Sequence, residues 1–179
     1  MKTKDEYADI FKKNLVGLLT EAENLIKFVN SHRDVINKLV PGTGLSLTLL
    51  QFTISAAMSS NPEILVHGFI KRSCGYWDQI ASQNLIFLTQ NANTIFSEAP
   101  EKEVAEFSRA FELTDANGVK ILTDEKILTL WGIFRAMVIS SVKYIHMRRE
   151  PGDGKYNNPT YFQEISLNYY IKLFNIKMD

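Results

Sequence analysis

Cysteine is almost missing from this chain. Cys74 stands alone, so no disulfide can close within the chain and a small disulfide-stapled scaffold is excluded. Net charge is missing too: twenty Lys and Arg offset twenty Asp and Glu. That balance disfavours a generally basic nucleic-acid binder, whose affinity rests on neutralising phosphates. Nine glycines and five prolines in 179 residues are too few for a collagen-like or low-complexity segment. No Asn-x-Ser/Thr sequon is present, because Asn158 is followed by Pro159. These absences fit a reducing intracellular setting, or a particle assembled in one. An apolar signal core is lacking as well, since the N-terminus reads Met-Lys-Thr-Lys-Asp-Glu. The longest uncharged stretch, Leu39 to Pro62, carries Pro41, Gly42, Gly44 and Gln51, a poor match to the ~20 mostly apolar residues of a bilayer span. The expectation is a soluble protein with no membrane span.

What is there is helical periodicity. Thr3-Lys4-Asp5-Glu6 is a capping-box pattern, in which a hydroxyl side chain and a glutamate three residues later satisfy each other's backbone amides. Tyr7, Phe11, Leu15, Leu18, Ala22, Leu25 and Val29 then follow at helical spacing and share one face. A second, short helix with Val35, Ile36 and Leu39 is expected between Ser31 and Pro41. Leu45 to Ala57 fits both periods, alternation at Leu45, Leu47 and Leu49 and helical spacing at Leu45, Leu49, Phe52 and Ala56; its helical surroundings decide for helix. After Asn61-Pro62 the pattern is helical to about Glu98, with a kink or break expected near Gly75.

Pro100 opens a short acidic helix with Val104, Phe107 and Phe111 inward. Asp115-Ala116-Asn117-Gly118 is a turn sequence able to close a small hairpin between 111 and 122. Thr123 caps the most apolar element, whose stripe of Ile127, Trp131, Phe134, Val138 and Ile145 is joined by Leu130, Ile133 and Met137 on other faces. A helix apolar on most sides belongs at the centre of a core. Its basic end, His146, Arg148 and Arg149, suits the negative pole of a helix before Pro151-Gly152. A second capping box, Thr160 to Gln163, starts a tail helix. The sequence thus predicts an all-α fold: one domain over residues 1–179, a bundle of about six or seven helices with at most one small β-hairpin near 111–122.

No complete catalytic motif is present, and no cofactor or metal is expected. Val40-Pro41-Gly42-Thr43-Gly44-Leu45-Ser46 resembles the core of a phosphate-binding loop but has Leu45 where the phosphate-neutralising Lys would stand. Asp115, Asn117 and Gly118 resemble part of a calcium loop, yet the glutamate such a loop needs twelve residues along is replaced by Lys126. His32, His67 and His146 are dispersed without a second ligand at metal spacing. Cys74, beside Tyr76 and Trp77, reads as a small core residue rather than a nucleophile.

Two surfaces are candidates for binding. Residues 127–179 hold seven bases against four acids, and Lys143, Arg148, Arg149 and Lys155 form a possible basic patch for an acidic partner or a phosphate; helix-dipole complementarity on a solvated face explains the same residues. In the tail, Tyr161, Phe162, Tyr169, Tyr170, Phe174 and Ile176 spread over more than one face. Tyr169, Tyr170 and Phe174 are then either wrapped within their own domain or part of a self-association or partner surface.

Trp131-Gly132 resembles the centre of the Asn-Trp-Gly-Arg signature of Bcl-2-like apoptosis regulators, with Leu130 and Ile133 in place of its Asn and Arg; that resemblance implies a helical regulator that holds a partner helix in an apolar groove. A broader one runs through residues 60–150: Phe69-Ile70, Tyr76-Trp77-Asp78-Gln79-Ile80 and Asn84-Leu85-Ile86-Phe87-Leu88, then Asp124-Glu125-Lys126, Leu130-Trp131 and Tyr144-Ile145. This order resembles small all-helical uncharacterised proteins of nucleocytoplasmic large DNA viruses. It implies a viral accessory or virion-associated protein, located in the host cytoplasm or the particle, and carries no active-site motif. The leading expectation is a non-enzymatic interaction or structural protein whose partner is another protein or itself. The alternatives are the groove-bearing regulator and an enzyme of unrecognised type.

Overall fold

The computed structural model describes residues 2–32, 47–95, 101–149 and 165–178. Helix α1 (Lys4–Ser31) starts where its capping box predicts. The Thr3 backbone amide donates to Glu6 Oε2 at 2.6 Å and the Glu6 amide donates to Thr3 Oγ1 at 3.2 Å. Of its predicted stripe, Tyr7, Phe11, Leu18, Ala22, Leu25 and Val29 are buried, and Leu15 is partly so. The short helix expected from Ser31 to Pro41 and the glycine loop at 40–46 lie outside the described residues.

Helix α2 (Thr48–Ser59) confirms helix over strand for that ambiguous stretch. Helix α3 (Pro62–Ser73) begins with proline in its first turn and Asn61 as its cap, whose Oδ1 accepts from the Glu63 amide at 2.8 Å. One long helix to Glu98 does not form. A 3₁₀ turn over Cys74–Tyr76 bends the chain at Gly75, as expected, into α4 (Trp77–Ala81), and a second break, unforeseen, leads to α5 (Leu85–Gln90) and α6 (Ala92–Ile95). At that second break the Gln83 amide donates to Ile80 O and the Asn84 amide to Gln79 O, with Gln83 at φ 54°. This pair of bonds around one left-handed residue is a Schellman stop, and Asn84 caps the next helix by accepting from the Phe87 amide at 3.0 Å.

Helix α7 (Glu101–Ala110) follows, then a turn in which Thr114 and Lys120 form an isolated antiparallel bridge. Asp115 Oδ1 accepts from the amides of Asn117 and Val119, and Gly118 takes the left-handed conformation at φ 77°. The expected hairpin is therefore one bridge wide. Helix α8 (Asp124–Arg149) is the spine: Val138, Val142, Tyr144 and Ile145 are fully buried, and Trp131 is 4% exposed. The C-terminal helix α9 (Leu167–Leu173) ends in a second Schellman stop, with Asn175 at φ 50°.

The fold is all-α, and one cluster of buried side chains drawn from α1, α3, α4, α5, α8 and α9 runs through it. The nine α-helices among the described residues exceed the six or seven expected because the predicted 63–98 helix is four pieces. The most extensive helix contact joins α1 to α8, and α2 and α3 pack on α1. By length and composition α8 is able to cross a membrane: one 18-residue window has mean hydropathy 1.3, and 56% of that window is buried inside the fold.

Candidate functional site

Two regions carry unusual chemistry, and neither was singled out from the sequence. The first is a polar junction where α1, α3 and α8 meet. Glu63 and His67 lie one helical turn apart on α3, and Tyr144 and Arg148 one turn apart on α8; residues four apart share a helix face. His67 Nε2 lies 2.9 Å from Tyr144 Oη, a hydrogen-bond distance, and the rings meet edge to face at 5.5 Å. Tyr144 is fully buried, Arg148 is 6% exposed, and the guanidinium lies 5.9 Å from the Tyr144 ring centre. From α1, Lys4 Nζ pairs with Glu63 Oε1 at 3.6 Å.

The electrostatics follow from that packing. Burial raises the Tyr144 phenol far above its ordinary value, and the Glu63 carboxylate adds to the rise by repelling a phenolate and accepting a hydrogen bond from the hydroxyl. The Arg148 guanidinium pulls the other way without prevailing. Burial also lowers His67 below 6.5, helped by the charges of Arg148 and Lys4 and opposed by Glu63. His67 is thus a neutral imidazole at pH 7, and Tyr144 a neutral phenol.

The second region is α2, which contains no Asp, Glu, Lys or Arg. Thr48, Gln51, Phe52, Ser55, Ala56, Met58 and Ser59 are exposed, an arc of roughly 160° at 100° per residue. Met58 and Ala56 bound it, and Phe52 and Met58 are its large side chains, at 70% and 60% exposure. The hydroxyl of Ser59 donates to the Ser55 and Ala56 carbonyls, and that of Ser60 to Ala56 O at 2.6 Å. Ser59 and Ser60 thus turn their hydroxyls back onto the helix, and the strip between the two large side chains is formed by the uncharged polar residues Thr48, Gln51, Ser55 and Ser59. Ile64, on the first turn of α3, is likewise 70% exposed.

The sequence-predicted site residues fare unevenly. Tyr169 is half exposed, and its hydroxyl donates to Asp78 Oδ1 at 2.6 Å; this bond and the nearby carboxylate raise its pKa. Tyr170 packs edge to face on Trp77 at 5.0 Å and donates to Cys74 O at 3.3 Å. Phe174 is corrected from surface to core: it is 1% exposed, and its carbonyl accepts from Arg135 Nη2 at 2.5 Å. The basic patch is not assembled among the described residues. Arg148 points inward to the junction, Lys143 lies over the Tyr7 ring at 5.7 Å, and Lys155 and the side chain of Arg149 lie outside the described residues, as do Tyr161 and Phe162.

Asp115 and Asn117 form the turn described above. Among the described residues no group of three His, Cys, Asp or Glu is placed to hold a metal ion. An apolar notch lined by Leu88, Ala92, Phe107, Phe111, Leu130 and Trp131 measures about 30 Å³, room for roughly two waters at the ~10–15 Å³ that one requires. It is no groove for a partner helix. A signal for the junction did exist: Glu63/His67 and Tyr144/Arg148 are both i,i+4 polar pairs on otherwise apolar helix faces. No protein-family model, no curated protein and no solved structure matches this chain.

Proposed function

We propose that this chain is a non-enzymatic interaction protein, and that it associates with a second copy of itself through the exposed face of α2. The observation that carries this reading is an uncharged helix that exposes Phe52 and Met58, at 70% and 60%, on a solvent face otherwise made of Thr48, Gln51, Ser55, Ala56 and Ser59. Large exposed apolar patches mark binding surfaces. In a two-fold contact each patch meets its own copy, so any charged patch meets its own sign; α2 carries no such penalty. A membrane surface is disfavoured as the occupant, because interfacial helices rely on Lys and Arg along the polar face and α2 has none. Twelve residues span ~18 Å, a patch short of the ~800 Å² per partner of a standard interface. The dimer is therefore weak and depends on concentration.

Sedimentation velocity from about 5 to 500 μM tests this. The unaltered chain shifts towards dimer across that range, and Phe52→Glu and Met58→Glu stay monomeric with unchanged far-UV circular dichroism. A monomer at every concentration overturns self-association and leaves a different protein as the occupant of the α2 face. The resemblance of residues 60–150 to small helical proteins of large DNA viruses supports placing this role in a virion-associated or accessory protein. Mass-spectrometric detection in purified particles against infected-cell extract tests that placement, and absence from both refutes it.

A further inference from the structure

We propose that the junction of α1, α3 and α8 is an acid-sensitive latch, in which a proton added to His67 loosens the packing of α1 and α3 on α8. The geometry carries it. His67 is half-buried and hydrogen-bonded at 2.9 Å to the fully buried Tyr144, whose ring centre lies 5.9 Å from the Arg148 guanidinium, and one turn back on the same helix Glu63 pairs with Lys4 at 3.6 Å. Among the groups facing the junction, α1 contributes Lys4 and Asp5, α8 contributes Tyr144 and Arg148, and α3 itself contributes Glu63. Helix α6, which also packs on α3, carries no charged residue. A protonated His67 adds a third cation, after Lys4 and Arg148, to a junction in which Tyr144 and Arg148 are already buried.

Tyr144 offers no relief. Its hydroxyl, held in the neutral state by burial and by Glu63, cannot become the anion that an imidazolium needs. Opening the junction, by contrast, returns His67 to water and separates it from Arg148. Acid therefore favours the opened state.

The sign is fixed by linkage. The folded chain holds His67 below 6.5, so between that lowered value and 6.5 the unfolded chain binds more protons. Stability from this group is complete above about 6.5 and falls as pH drops towards the lowered value, below which the loss is complete. Each unit of lowering makes opening tenfold easier.

Proton NMR titration of the three histidine rings in the unaltered chain, assigned with His32→Gln and His146→Gln, gives the direct reading. His67 titrates below 6.5, while amide exchange in α1 and α3, corrected for intrinsic rate, accelerates relative to α8 between pH 7 and 5. In urea unfolding, His67→Gln removes the part of the stability loss that this group causes over the same interval. His67 titrating at or above 6.5, or exchange in α1 and α3 that keeps its pH 7 pattern, overturns the latch. So does a His67→Gln chain with the same loss as the original. Should His67→Gln fail to fold, Lys4→Gln replaces it: removing one of the two cations raises the His67 pKa if the latch is real, and leaves it in place if it is not.

Discussion

Helices α8 and α2 are both rich in apolar residues, and the fold treats them in opposite ways. Helix α8 is apolar on several sides and buried along most of its length, with α1 laid along it and α4 and α9 against it. Helix α2 has no charge at all, yet only Ala57 among its described side chains is buried. It touches α1 along one side and shows the other to solvent. An apolar-rich helix is thus buried only as far as its neighbours reach, and α2 turns Thr48, Gln51, Ser55 and Ser59 to solvent together with Phe52 and Met58. A helix of this kind left uncovered marks the place where the chain's own packing is incomplete.

Substitutions can press on each side of that contrast. Trp131→Ala in α8 removes a large aromatic from a site 4% exposed and is expected to destabilise the fold by ~3–5 kcal/mol; chemical denaturation gives the value, and a change below about 1 kcal/mol would end α8's role as spine. Asn61→Ala strips the cap from α3, whose first turn holds the exposed Ile64 and the junction residue Glu63, and should cost about 1 kcal/mol, read as a lower urea midpoint with unchanged slope. Gln83→Gly acts with the opposite sign. The left-handed conformation costs a side-chain-bearing residue ~1–2 kcal/mol, against ~0.5–1 kcal/mol of extra glycine entropy, so a gain of about 0.5 kcal/mol in thermal unfolding is expected. Phe52→Glu has the smallest effect on the dilute monomer, within ~0.5 kcal/mol as for surface sites generally. A larger loss would mean that α2 is core after all.

Much of the frame was legible in the sequence, because local rules decided it. The Thr3 box, the α1 stripe and the many-sided apolarity of α8 depend on residues a few positions apart, and all three stand in the structure. The break at residues 82–84 was hidden because its left-handed position is filled by Gln83 rather than glycine; the readable trace was Asn84, a good capping residue inside an apparently continuous helix. The junction was hidden for another reason. His67 and Tyr144 are 77 residues apart, and no spacing rule on one helix brings two helices together. Phe174 and Arg148 sit near helix ends, where sequence position reads as surface. The Schellman stop after Leu173 turns the chain so that Phe174 enters the core, and the planar Arg148 head lies against the Tyr144 ring. The solvent side of α2 was readable in the polar spacing of Thr48, Gln51, Ser55 and Ser59, whereas the exposure of Phe52 and Met58 was not, since periodicity says nothing about the number of a helix's neighbours.

The pairing of α1 with α8 also sets a schedule for the chain during its synthesis. Helix α1 is complete at Ser31, and its principal neighbour begins only at Asp124. At the ~5–20 residues per second of translation, the stripe from Phe11 to Val29 waits roughly 5–20 s for α8. Through that interval α2 and α3, complete by Ser73, are the partners that α1 has, so burial of its stripe is finished only with the emergence of the last third of the chain.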